Sequence, residues 1–547
     1  MKRYCVYIYH CHSTMSLSLY YHTLKYLKRE QLFFQIYYKI AAKVTRFLSL
    51  RTDYTCYKKG NPVELKDYPK KPVSYEGDNV FCLLNLTHRF NGKWDDCSQG
   101  ELWRYNLNYM DFLLQPGMSV TDGYGWIERF IDDIADNQIA NDPYPISLRG
   151  INWIKFVSLH IEELSFEQMK KIDTSLYSQY KLLSKRTERH LLANHYLENG
   201  FSLLFAAIYF RDADFWQKAK HIVVSQLKEQ ILSDGAHFEL SPMYHCVILE
   251  RLLDCCNLLS VTDNSLFVEL ETTKMFLYGK ASEMLAWLDA IVVANDTLPL
   301  LNDAANGVVF SPSVLREYAN SLHIEWHKGE LNVSGYRHIT RSAYETIIDI
   351  APLGVSYNLG HAHADTSNFL LWVRNRALLV DTGTSTYNNC ERRNYERSTM
   401  AHNAVVVDGE NSSKVWGAFR CAQRANVNIL DDTSVSCSMS HNGYNNKGVT
   451  CLRQYICRED RMEVIDTVSG GHIRSAVAYF HLAPEVQVLD VSDNAIVTDC
   501  ASFYFENSCA IDIVQMEVAE EYNILSSSQC IQVTFDSTLR TIIADFQ

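Results

Sequence analysis

Two hydrophobic periods divide this chain. Between Trp94 and about Ile324, apolar residues recur every three to four positions over 103–114, 126–140, 150–164, 167–182, 190–210, 213–232 and 244–260. That spacing puts one apolar stripe on each of a series of helices. After about residue 331 the period falls to two, which predicts strands at 347–350, 368–373, 377–381, 404–407, 449–456, 462–468 and 476–481. Further strands are expected through 503–505, 511–517 and 541–546, with hairpin turns at Asn375-Arg376 and Asp408-Gly409. Helix pairs in sequence make an α-solenoid or an α/α toroid, and the strands make an antiparallel β-sandwich. The expected divisions are peripheral helices over 1–52, a linker with a short strand over 53–93, a helical domain over 94–330 and a sheet domain over 331–547.

Ahead of the linker, Leu24, Tyr26, Leu27, Leu32, Phe33, Ile36, Ile40 and Val44 fall at helical spacing among lysines and arginines. Such a segment is expected to dock on its own domain, with contact to an anionic membrane surface as the alternative. The apolar run near Lys2 and Arg3 is broken by His10, His12 and Ser13, so no secretory signal is expected. No stretch approaches the roughly 20 apolar residues that a membrane-spanning helix needs.

A net charge of -13 argues against a general nucleic-acid binder. Sixteen cysteines without a tandem CxxC pattern predict free thiols. The 33 tyrosines and 9 tryptophans suit a sugar cleft or an aromatic core equally.

The chemistry concentrates around Gly360-His361-Ala362-His363-Ala364-Asp365. His363, Asp381 and His402 are zinc-binding residue types on or beside strands, and two histidines with one aspartate can hold the ion. His361, two positions before His363, faces the same way if the run is extended. Hydrogen-bonded core histidines are the alternative. The helical half is interrupted at DPYPISLRGINW (142–153), RHLLANHYLEN (189–199), DGAHFELSPMYH (234–245) and LPLLND (298–303), which place polar and aromatic side chains at helix ends.

These motifs, with VDTGT, RRNYERST and AHNAVVVDG, resemble the heparinase II/III family of polysaccharide lyases, from about residue 85 onward. The resemblance implies an incomplete α/α toroid followed by an antiparallel β-sandwich, and cleavage of a uronic-acid polysaccharide by β-elimination. It implies catalytic roles for Asn194, His195, Tyr244 and His361, and a structural zinc on His363, Asp381 and His402. Substrate contacts are expected from Tyr387, Tyr395, Arg393, Arg397, Asn152 and Trp153. Glu198 and Glu239 are read as ordinary solvated carboxylates. The expected partner is an anionic polysaccharide. The family points to the periplasm or cell envelope, and the N-terminus to the cytoplasm. A metal-dependent hydrolase and a non-catalytic carbohydrate-binding protein are the competing readings.

Overall fold

The computed structural model describes residues 17–47 and 54–547. The reading of residues 1–16 lies outside the described residues. Helices α1 (Leu17–Leu24) and α2 (Arg29–Phe47) come first. The helical half follows as α3 (Glu101–Tyr109), α4 (Val120–Asp133), α5 (Pro143–Leu159), α6 (Phe166–Lys185), α7 (Ala193–Phe210), α8 (Ala213–Gln230), α9 (Pro242–Ser260), α10 (Leu270–Ile291) and α11 (Pro312–Ser321).

Composition sorts these helices into two layers. α5, α7 and α9 are buried on nearly every side and pack one against the next. α6 and α8 bury one stripe each and pack on their outer side. A helix apolar all round belongs inside and an amphipathic one outside, which gives the α/α toroid. The segment 142–153, expected as an interruption, forms the first three turns of α5. Pro143 and Pro145 lie in its opening turn, where a missing N–H costs nothing.

Residues 54–74 hold no regular element, yet they are not a free linker. Gly60 N–H donates to Asp173 (2.8 Å), Val63 N–H to Ser158 (3.0 Å) and Lys66 N–H to Asn257 (2.9 Å), so the segment is strapped across the helices. A three-stranded sheet over 75–89 follows.

In the second half, a four-stranded sheet (336–340, 344–349, 369–373, 376–379) packs on a ten-stranded antiparallel sheet. Ile348, Phe369 and Leu371 from the first meet Tyr455, Val464 and Phe480 from the second in one apolar core. The turn at 374–375 has positive φ at both Arg374 (48°) and Asn375 (68°), one residue before the predicted position. The pieces expected at 503–505, 511–517 and 541–546 belong to a single hairpin, Ser502–Glu521 with Ile524–Ala544. Its tip reaches the helical half: Asn306 N–H donates to Glu520 O (2.7 Å) and Asn85 to Tyr522 O (3.0 Å). This crossing brings Tyr522 to the junction of the two halves.

Candidate active site

Asn194 and His195 open α7. Leu192 (φ 60°, ψ -149°) and Ala193 (φ 51°) before them have positive φ, a conformation that costs a non-glycine residue about 1–3 kcal/mol. This backbone turns the Asn194 amide inward. Its Nδ2 donates to both oxygens of Glu239 (2.9 and 3.1 Å). Glu239 is only 4% exposed, so the expectation of a solvated carboxylate is corrected.

Beside it, His195 Nδ1 lies 3.3 Å from Glu188, and the ring sits 4.5 Å from that of Tyr144. Burial opposes protonation of His195. The Glu188 carboxylate, with Glu239 and Glu198 beyond it, outweighs burial and raises the pKa. Glu198 is also buried rather than solvated. Neither of its oxygens has a hydrogen-bond partner, and burial pushes it up to about 7 against the opposing charge of Arg251.

Tyr244 stands in the first turn of α9, which Ser241 caps by accepting from the Tyr244 N–H (3.2 Å). Its ring lies 3.9 Å from that of His361, and its hydroxyl is 3.2 Å from the Tyr387 hydroxyl. Burial, followed by Tyr522 and nearby acids, holds the Tyr244 pKa well above the ordinary value, so the phenol is protonated. Phe419 and Tyr522 close the wall around Tyr387.

Asp303 organises the histidines. It has no exposed surface and ends LPLLND, a segment marked in the sequence although the residue itself was not singled out. One oxygen meets His361 Nδ1 and the other His363 Nε2, both at 2.9 Å. Arg393 grips the same carboxylate through both terminal nitrogens. Burial alone would raise the Asp303 pKa, but Arg393 and the two histidines hold it well below the carboxylate range. Ionised Asp303 only accepts hydrogen bonds, so Nδ1 of His361 carries the proton. In neutral His361 the lone pair is then on Nε2, which points toward Glu239 at 3.7 Å.

Several expected substrate contacts lie elsewhere. Asn152 and Trp153 are fully buried in α5, where Asn152 donates to Tyr109 O (2.9 Å) and the Trp153 indole faces the Met110 sulfur (3.2 Å). Arg393 is committed to Asp303 and to Ala418 O (3.1 Å). Arg397 is buried and donates to Ala362 O, Leu359 O and Gly417 O, which fixes the loop carrying His361. Tyr395 points into a separate groove of about 560 Å³ shared with Tyr479, Met400 and Gln532. Buried arginines read as binding residues from sequence because charge alone does not reveal which side of a short helix faces the core.

The three candidate metal ligands are adjacent. The rings of His363 and His402 lie 5.4 Å apart, and His402 Nδ1 is 2.7 Å from Asp381 Oδ2. Asp381 is thus turned to an imidazole, and among the described residues no three ligand groups converge as for a metal ion. The residue types still fit a cation. His363 Nδ1, His402 Nε2 and Asp365 Oδ2 are buried with no hydrogen-bond partner. Burial lowers His363 to about 4, leaving it neutral with a lone pair.

Comparison with known proteins sets this geometry in context. Residues 325–541 match the family model "Heparinase II/III-like, C-terminal", and residues 136–324 match "Heparinase II/III N-terminus". A heparin-sulfate lyase of Bacteroides stercoris is 24% identical over 271 residues, covering 43% of this chain and 39% of that protein. One from Pedobacter heparinus is 24% identical over 268 residues, covering 42% of this chain and 39% of that protein. The matched region therefore spans about two fifths of these relatives' length. The crystal structure of heparinase III superposes with a TM-score of 0.61 at 14% identity, covering 80% of this chain and 76% of that one. A mutant of heparan sulfate lyase HepC from Pedobacter heparinus gives 0.55 at 16%, covering 86% and 81%. The structural likeness supports the toroid and sandwich seen here, and the two sequence models, which adjoin without a gap at 324 and 325, establish that the chain belongs to the heparinase II/III family.

Proposed function

We propose that this protein is a polysaccharide lyase that cleaves a uronic-acid polymer of the heparan-sulfate type by β-elimination. The observation that carries the reading is one cluster at the junction of the two halves, in which the Tyr244 ring lies 3.9 Å from that of His361 and Glu239 links Asn194 to His361.

The C5 proton of a uronate is hard to remove while the neighbouring carboxylate bears its full charge. Asn194 and protonated His195 would neutralise that carboxylate and stabilise the enolate-like intermediate. A substrate carboxylate would take the place that Glu239 holds against Asn194. His361, with Nδ1 held by Asp303, suits the base through Nε2, and the protonated Tyr244 suits the acid that delivers its proton to the departing O4. The Tyr387 hydroxyl, 3.2 Å away, would resupply Tyr244.

Incubation with heparan sulfate, alginate and hyaluronan, followed by ultraviolet detection of unsaturated uronate ends, tests the reading. Saturated reducing ends would favour a hydrolase, and binding without cleavage a carbohydrate-binding protein.

The His195 cation gives the reaction a pH dependence. As pH rises through its raised pKa, positive charge facing the substrate is lost and KM rises. Glu188→Gln removes the carboxylate that supports this cation, so the rise in KM moves to lower pH, as measured over about pH 5–9.

Zinc is part of the same proposal. His363 Nδ1 and His402 Nε2, with Asp381 or Asp365, would hold it, and it would tie the loops of the sheet domain together as a structural ion. Elemental analysis is expected to find about one zinc per chain, and His402→Ala to lose the metal and lower the melting temperature.

A further inference from the structure

One face of α2 is held and the opposite face is bare among the described residues. On the held side, Gln31 donates to Leu191 O (3.1 Å), Tyr38 to Thr187 O (2.6 Å), and the Arg189 guanidinium lies 4.3 Å from the Phe34 ring. These contacts fix the helix on the loop that leads into Asn194. On the other side stand Phe33 (61% exposed), Ile36 (61%), Tyr37 (50%), Ile40 (56%) and Val44 (48%). At 100° per residue these five fall within a single arc of about 100°. A contiguous stripe of large apolar side chains turned to solvent marks an interaction surface, unlike scattered exposed residues.

Charge identifies the partner. α2 has Arg29, Lys39, Lys43 and Arg46 against one carboxylate, Glu30, and Glu30 is paired with Arg189 at 2.7 Å. Lys39 and Lys43 are exposed, border the stripe on one side and have no carboxylate partner among the described residues. A second copy laid on this face would bring lysines against lysines with no acid to answer them. An anionic lipid surface supplies both an apolar layer for the stripe and phosphates for the lysines, whose stems can reach the headgroups while the helix lies in the interface. No helix of the described residues is long and apolar enough to cross a membrane, so the contact is in-plane.

We propose that α2 is a membrane-surface anchor for anionic phospholipid, holding the crevice beside the bilayer. This inference is independent of the lyase reading. In vesicle flotation the full-length protein should bind phosphatidylglycerol/phosphatidylcholine vesicles at least about tenfold more tightly than phosphatidylcholine alone. Lys39→Glu with Lys43→Glu should remove that preference, and Ile36→Asp with Ile40→Asp should abolish binding to both vesicles. All four side chains are exposed, and an unchanged melting temperature would show that the variants fold. Absence of vesicle binding would overturn the proposal, as would equal binding to the two compositions. Light scattering showing a dimer that Ile36→Asp with Ile40→Asp dissociates, without vesicle binding, would assign the face to a second copy instead.

Discussion

Tyr244→Phe is expected to lower kcat by roughly 10²–10⁴ while leaving polymer binding close to that of the unaltered protein. The substitution removes one hydroxyl and keeps the ring against His361 at 3.9 Å, so packing of the crevice is preserved. What is lost is the proposed proton source. Burial keeps that phenol protonated, and Tyr387 at 3.2 Å is the neighbour able to resupply it. Steady-state kinetics with polymer, together with binding measured by calorimetry, separates the two effects. A matching loss of affinity would mean that the hydroxyl positions substrate rather than protonating it. Unchanged turnover would remove Tyr244 from the mechanism.

Asp303→Asn is expected to be the most damaging single change, because one carboxylate serves three partners. Arg393 would be left fully buried without its counter-charge, a situation that costs about 3–5 kcal/mol. The amide keeps one acceptor oxygen where two imidazoles and Arg393 shared two, so His361 and His363 cannot both keep their acceptor and turnover should fall even at temperatures where the variant stays folded. The pH signature is specific. Because the Asp303 pKa is depressed in the folded state, its contribution to stability is fully present above the ordinary aspartate value of about 3.9. It is lost as pH falls from there through the depressed value. The Asn variant should lack that acid limb. Melting temperature followed from neutral to acid pH reads both predictions, and a variant as stable and active as the original would show that Asp303 is not the organiser of the site.

Much of this architecture was legible as periodicity. A stripe every 3.6 residues and an alternation every two residues are local signals, and they separated the toroid from the sandwich near residue 331. The long terminal hairpin was only partly visible, since Ser502–Glu521 projects many polar residues into solvent and its pairing with Ile524–Ala544 is a contact between chain segments. Within the site, Asn194, Tyr244 and His361 were marked by short motifs at helix starts and loop turns. Glu239 lay inside a marked motif but read as an ordinary solvated carboxylate, and Asp303 closed a marked motif with no role of its own legible there. A carboxylate discloses its role only through what faces it, and Asn194 lies 45 residues from Glu239 in the chain while His361 lies 58 from Asp303.

The chain by itself determined the two fold classes, their order and the residue types available for catalysis, because hydrophobic spacing and motif composition act between near neighbours. Tertiary structure decided which charges are sealed inside and which look into the crevice. Arg393 is a buried brace on the Asp303 hub, Arg397 a buried brace on the loop carrying His361, and the apolar face of α2 is turned outward. Those outcomes depend on the desolvation of each group and the partners brought to it by distant segments, and neither quantity exists until the two halves have packed together.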